Sequence, residues 1–164
     1  MKSVPVLHTD RCTLSAVTKN DVSVLRQILN DAETQRFLPE LCEEFHTSER
    51  LKQFVASFDK YRLRDEGILW GIHKDSIFIG IIAIMDISVN PTLFYAMHPH
   101  YRHKGYFKES LRIALDFLWK SGICMSIRTE VNIDNEISQA ILKNTGFHQL
   151  SYYNDERSVF YRFF

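Results

Sequence analysis

The chain has 164 residues, which fits one domain over 1–164 whose core needs no disulfide staples. Hydrophobic residues make up 45% and aromatics 13%, a globular composition and not a disordered one. Lys plus Arg is 20 and Asp plus Glu is 20, and that balance argues against nucleic-acid or anionic-membrane binding, which runs on bulk positive charge.

The opening MKSVPVLHTDRC lacks the apolar centre of a signal peptide, and no apolar run approaches the ~20 residues of a membrane span. Residues 11–17, RCTLSAV, alternate polar and apolar and predict a strand. TKNDVSVLRQILND predicts a helix. Thr18 or Asn20 can cap it, and Val22, Leu25, Ile28 and Leu29 recur at helical spacing. The pattern breaks at Pro39. A second helix opens at Thr47–Ser48 and gathers Leu51, Phe54, Val55 and Phe58 on one face. ILWGIHK and SIFIGIIAIMDIS predict two strands joined by a turn at Lys74–Ser76. The second is apolar at nearly every position, as in a strand covered on both faces. TLFYAMH is another strand. Leu111, Ala114, Leu115 and Leu118 then mark a helix that Gly122 stops. CMSIRTEV predicts a strand, NEISQAILKNTGF a helix ended at Gly146, and HQLSYY with RSVFYRFF a hairpin around Asn154–Asp155. The fold class is α/β of the mixed α+β kind, a mixed sheet of six to seven strands with about four helices packed on it. Cys12, Cys42 and Cys124 have no metal-ligand spacing and read as free thiols of a reducing, cytoplasmic protein.

The chemistry concentrates in HPHYRHKGYF, His98 to Phe107. A strand ends at Pro99, and a short basic loop enters a helix whose first N–H groups lack internal partners and favour an anion. Gly105 lets a phosphate approach the backbone, while Arg102 and Lys104 add mobile positive charge. The pattern is neither a Walker A loop nor a dinucleotide fingerprint. An ordinary basic helix entry with solvated side chains is the alternative.

Arg102-His103-Lys104-Gly105-Tyr106-Phe107 resembles the R/Q-x-x-G-x-G/A loop of the GCN5-related N-acetyltransferases (GNAT). The surrounding YAMHPHYRHKGYFKESL resembles that family's strand, proline turn and helix. Asn135, Ser138, Gly146 and Phe147 resemble its N-x-x-S segment ending in G-F. LHTDRCTLSAV is similar to the T-x-R-L-x-L-R opening of the branch that includes ribosomal-protein N-terminal acetyltransferases. Phe107 stands where a small residue is usual and is expected to narrow the pyrophosphate pocket.

The resemblance implies acetyl transfer from acetyl-CoA to a primary amine, a protein N-terminus or a small molecule, by direct attack on the thioester. It implies a pyrophosphate held by backbone N–H groups from Arg102 to Phe107, with Lys104 and Lys108 in reach. The Met97 N–H would polarise the thioester carbonyl, and Ser138 would assist the leaving sulfur. Asn135 would contact the pantetheine arm, cap its helix, or do both. The strand TLFYAMH has no carboxylate, so the expected base is Asp86 or Glu130, with His98 also near the loop. Phe37, Leu38 and Phe45 with Glu40, Glu43 and Glu44 suggest an acceptor wall. The alternatives are a catalytically silent module that binds acyl-CoA or a protein partner, and a nucleotide-phosphate binder built on His98–Lys108. Either a monomer or a homodimer is compatible, the aromatic end SVFYRFF being a central strand or a dimer edge.

Overall fold

The computed structural model describes residues 3–164, so the first two residues of the expected 1–164 unit lie outside the described residues. The chain opens with β1 (Leu7–His8) and β2 (Thr13–Ala16) and then packs four helices in succession: α1 (Val22–Leu29), α2 (Ala32–Phe37), α3 (Pro39–Glu44) and α4 (Ser48–Leu63). β3 (Ile68–Lys74), β4 (Ile77–Met85) and β5 (Thr92–Met97) follow as a meander. α5 (Tyr106–Ser121), β6 (Ser126–Asn132), α6 (Glu136–Asn144), β7 (His148–Asn154) and β8 (Arg157–Phe163) complete it. The strands form one sheet in the order β1-β2-β3-β4-β5-β6-β8-β7, antiparallel throughout except for the parallel pair β5–β6.

Among the described residues the mixed α/β class is as expected, with eight strands in place of six or seven and six α-helices in place of about four. β1 is two residues long, too short to show a period. Pro39 both breaks and starts a helix: it ends α2 and occupies the first turn of α3, where its missing N–H costs nothing. The Asp31 carboxylate caps α2 by accepting the Thr34 N–H at 3.0 Å.

Alternation along the strands divides the core. Ile68, Trp70 and Ile72 of β3, with Leu93 and Met97 of β5, pack under α5 and α6 beside Leu111, Leu115, Leu118 and Leu142. Leu69, Phe94 and Ala96 face the other way, onto Leu25, Ile28, Leu51, Phe54 and Phe58 of α1 and α4. β4 is buried from Phe78 to Ile84, as a central strand covered on both faces must be. SVFYRFF lies inside the sheet, between β6 and β7, and β7 forms the edge with Leu150, Tyr152 and Tyr153 exposed. Among the described residues no helix is long and apolar enough to cross a membrane.

One close approach fixes β5 against β4. Gly80 faces Met97 in register, and a Cβ on Gly80 would stand 2.7 Å from the Ala96 carbonyl oxygen, a backbone atom with nowhere to go. Gly80→Ala is expected to destabilise the fold by about 1–3 kcal/mol, read as a lower urea midpoint with unchanged slope.

Candidate active site

β5 and β6 are neighbours that separate. Among the described residues their register pairs Thr92 with Arg128 and goes no further, the Arg128 N–H donating to the Pro91 carbonyl at 2.7 Å. β5 is zipped to β4 along its whole length and beyond, to the His98 N–H on the Ile79 carbonyl (2.8 Å). β6 is zipped to β8 over all seven of its residues. Each strand stays with its outer partner while the ladder between the two ends. A cavity of about 600 Å³ opens in the wedge, lined by β5, β6, the starts of α5 and α6, and Phe37 and Leu38 from the α2–α3 corner.

Alternation decides which backbone groups face it. His98 N–H points at β4, so the N–H groups of Met97 and Tyr95, one and three residues earlier, point the opposite way, towards β6. The Met97 N–H therefore faces the wedge where the ladder has already ended. Its carbonyl is taken by the Arg102 Nε at 3.1 Å.

The loop into α5 turns through His103 (φ 59°) and Gly105 (φ 82°), both left-handed. Gly105 occupies the cap position of α5, and no side chain caps the first turn among the described residues. The first helical N–H groups thus stand beside the cavity with the helix dipole behind them, and His103, Gly105, Tyr106, Phe107 and Lys108 all line it. Such a turn suits a phosphate.

Two arginines fasten this loop, and neither is the free charge expected of Arg102. The Arg102 guanidinium is largely buried. It pairs with Asp31 at 2.7 Å and Glu33 at 3.1 Å and donates to the Thr34 hydroxyl at 2.8 Å, tying the loop to α2. Burial would push the Asp31 carboxyl up, but Arg102 and Thr34 outweigh it and hold it below its usual range. On the other flank Arg11 donates to the Lys104 carbonyl (3.0 Å), pairs with Glu109 (2.6 Å) and stacks on the Tyr106 ring. Glu109 also accepts from the Thr9 hydroxyl and the Arg11 N–H. The T-x-R opening is therefore a clasp on the first turn of α5. Lys104 turns away from the cavity and donates to the His100 carbonyl at 2.7 Å.

Across the wedge from the loop's backbone, the Ser138 hydroxyl meets the Tyr95 hydroxyl. Ser138 is buried at the first turn of α6, where Asn135 caps the helix by accepting the Ser138 N–H at 3.1 Å. Both Asn135 and Ser138 line the cavity. Burial pushes the Tyr95 phenol up to about 12, so it stays protonated at neutral pH. Phe107 is buried and stacks on Tyr95, ring centroids 4.2 Å apart, so its bulk is absorbed into the core under α5.

Of the expected acids, Glu130 reaches the cavity and Asp86 does not. Glu130 sits on β6 with its carboxylate between Arg128 and Arg157. Arg157 also pairs with Glu40 of α3, bridging the two walls of the cavity. Asp86 is exposed in the β4–β5 turn in a left-handed conformation, its carbonyl accepting the N–H groups of Val89 and Asn90. His98 lies outside the lining, and burial, helped by His100 and Arg102, lowers its pKa. Sequence reasoning missed Tyr95, Arg157 and the clasp. The T-x-R motif was the signal for the clasp, but nothing local tied Thr9 and Arg11 to a glutamate 98 residues from Arg11.

A family model described as "Acetyltransferase (GNAT) domain" matches residues 11–148. An uncharacterised N-acetyltransferase of Bacillus subtilis, YoaA, is 23% identical over 150 residues, covering 88% of this chain and 84% of its own. The structure of RimL, a ribosomal-protein alpha-N-acetyltransferase in complex with coenzyme A, superposes with a TM-score of 0.83 at 17% identity, covering 97% of this chain and 98% of that one. A spermidine N-acetyltransferase chimera built in part from the Vibrio cholerae protein superposes with a TM-score of 0.75 at 13% identity, covering 94% and 96%.

The clasp carries a pH signature. Burial raises the Glu109 carboxyl, but hydrogen bonds from Thr9 and Arg11 outweigh it and hold it below the usual range. A carboxyl more acidic in the folded state adds stability above its unfolded pKa of about 4.3, and that stability is lost as pH falls through the folded value. Glu109→Gln is expected to lower the urea midpoint at pH 7 and to make the loss of stability below about pH 5 shallower than in the parent protein.

Proposed function

The chain belongs to the GNAT acetyltransferases, and from that premise we propose that it transfers the acetyl group of acetyl-CoA to a primary amine. The observation that carries the proposal is the parting of β5 from β6 beside an uncapped helix start. One wedge then holds backbone donors for a diphosphate and a backbone donor for a carbonyl. The residues fit the co-substrate: the α5 turn presents N–H groups and a glycine, and the nearby Glu109 carboxylate is neutralised by Arg11.

In this reading the turn from Arg102 to Phe107 binds the pyrophosphate through its backbone, with Lys108 on the rim. Arg102 itself acts through its main chain, its guanidinium being committed to α2. The Met97 N–H donates to the thioester oxygen as negative charge collects there. The nitrogen lone pair forms the C–N bond, and the C–S pair passes to sulfur, which the Ser138 O–H stabilises. The proton shed by nitrogen leaves by way of Glu130, and the thiolate takes one up from solvent as it departs. The attacking amine is the neutral form, its ammonium having given one proton to solvent before the attack. Asp86 has no part. The acceptor enters from the Phe37–Leu38 side. It is a primary amine, of a protein N-terminus as the name of RimL describes or of a small molecule as the spermidine enzyme's name describes.

Calorimetric titration with acetyl-CoA, followed by a thiol-release screen over peptides and small amines, tests the reading. Micromolar binding and release with at least one amine are expected. Binding without release from any amine would instead favour a silent acyl-CoA module. Gly105→Val forces a branched side chain into a left-handed turn and is expected to weaken acetyl-CoA at least 10-fold while the protein stays folded; unchanged affinity would remove the loop from the binding site. Glu130→Gln is expected to cut kcat/KM for the amine by about 100-fold with acetyl-CoA affinity unchanged.

A further inference from the structure

We infer that Tyr95 is a positioning residue for the leaving-group step: its hydroxyl donates to the Ser138 oxygen and so turns the Ser138 proton towards the cavity. The inference rests on the acetyl-transfer reading above. The hydrogen bond between the two hydroxyls is present in the structure, and the bond alone allows either to donate. Chemistry chooses between them. A serine that must donate to sulfur cannot spend its single proton on tyrosine, so tyrosine has to be the donor. Tyr95 has a proton to give throughout the neutral range, because burial keeps its phenol from ionising.

Both partners are held so that the bond survives. The Tyr95 ring is pinned by its stack on Phe107, at an interplanar angle of 27°. The Ser138 backbone is pinned by the Asn135 cap. A hydroxyl that accepts one hydrogen bond is a stronger donor of the next. Fixing its rotor also removes the orientations that would aim the proton away from sulfur. Phe107, the departure from the small residue usual in the loop, thereby acquires a use: it is the wall against which the phenol is braced. No proton leaves Tyr95 during the reaction. The C–S pair goes to sulfur, Ser138 hydrogen-bonds the thiolate, and Tyr95 returns to its starting state unchanged.

Tyr95→Phe removes the hydroxyl and keeps the ring and its stack. With an amine acceptor found by thiol release, kcat is expected to fall about 10-fold, the value of one hydrogen bond, with acetyl-CoA affinity within twofold of the parent. Ser138→Ala should lose at least as much, and the double variant should be no slower than Ser138→Ala alone. A second readout needs no amine. The thiol of bound CoA, followed by thiolate absorbance against pH, should titrate at higher pH in Tyr95→Phe than in the parent. Additive losses in the double variant, an unshifted thiol titration, or a fall in acetyl-CoA affinity matching the fall in kcat would each overturn the inference and leave acetyl transfer standing. If the parent protein binds no CoA, the acetyl-transfer reading fails and takes this inference with it.

Discussion

The parting of β5 from β6 is the constraint on which everything else in the molecule depends. A sheet satisfies its backbone by pairing every strand, and here two central neighbours stop pairing after one register position. Each of the two strands is fully paired on its far side. β5 is bound to β4 through the close Gly80–Met97 approach, and β6 is bound to β8 for its whole length. Unpaired main-chain donors inside a fold are costly unless something answers them. A wedge of such donors, roofed by a helix start, is a site built from the backbone itself.

The charged residues around the wedge serve mainly as fasteners. Arg102 draws the loop to α2, Arg11 draws it to the start of α5, and Arg157 ties β8 to both α3 and β6. An isolated surface ion pair contributes little, typically ~0.2–1 kcal/mol, but each of these guanidiniums engages two or more partners, with backbone carbonyls among them for Arg11 and Arg102. They convert a loop of left-handed residues into a fixed turn. The positive charge that remains free near the cavity is modest, in keeping with a chain whose formal charges cancel.

What the sequence revealed follows from how local each signal is. The period of α5, the all-apolar run of β4 and the turn residues before β4 are properties of adjacent positions, and the structure has them where the spacing put them. The loop His103-Lys104-Gly105 was legible because a glycine before a helix has a local meaning. Arg102 was misread, since an arginine beside a phosphate turn looks like a ligand until Asp31 and Glu33 are seen 71 and 69 positions earlier. Tyr95 was passed over for the same reason. In the strand TLFYAMH it alternates like any inward aromatic, and only the packing of α6 brings a serine hydroxyl to its own. Asp86 looked close to the site along the chain, and the β4–β5 turn carried it into solvent.

The bridge from Arg157 to Glu40 has a consequence for how the protein responds to salt. It joins Arg157, which lines the cavity, to α3, the helix that follows Phe37 and Leu38. Glu40 is largely exposed, so added salt weakens the bridge. The hold between the sheet and the helical side of the cavity therefore loosens as ionic strength rises.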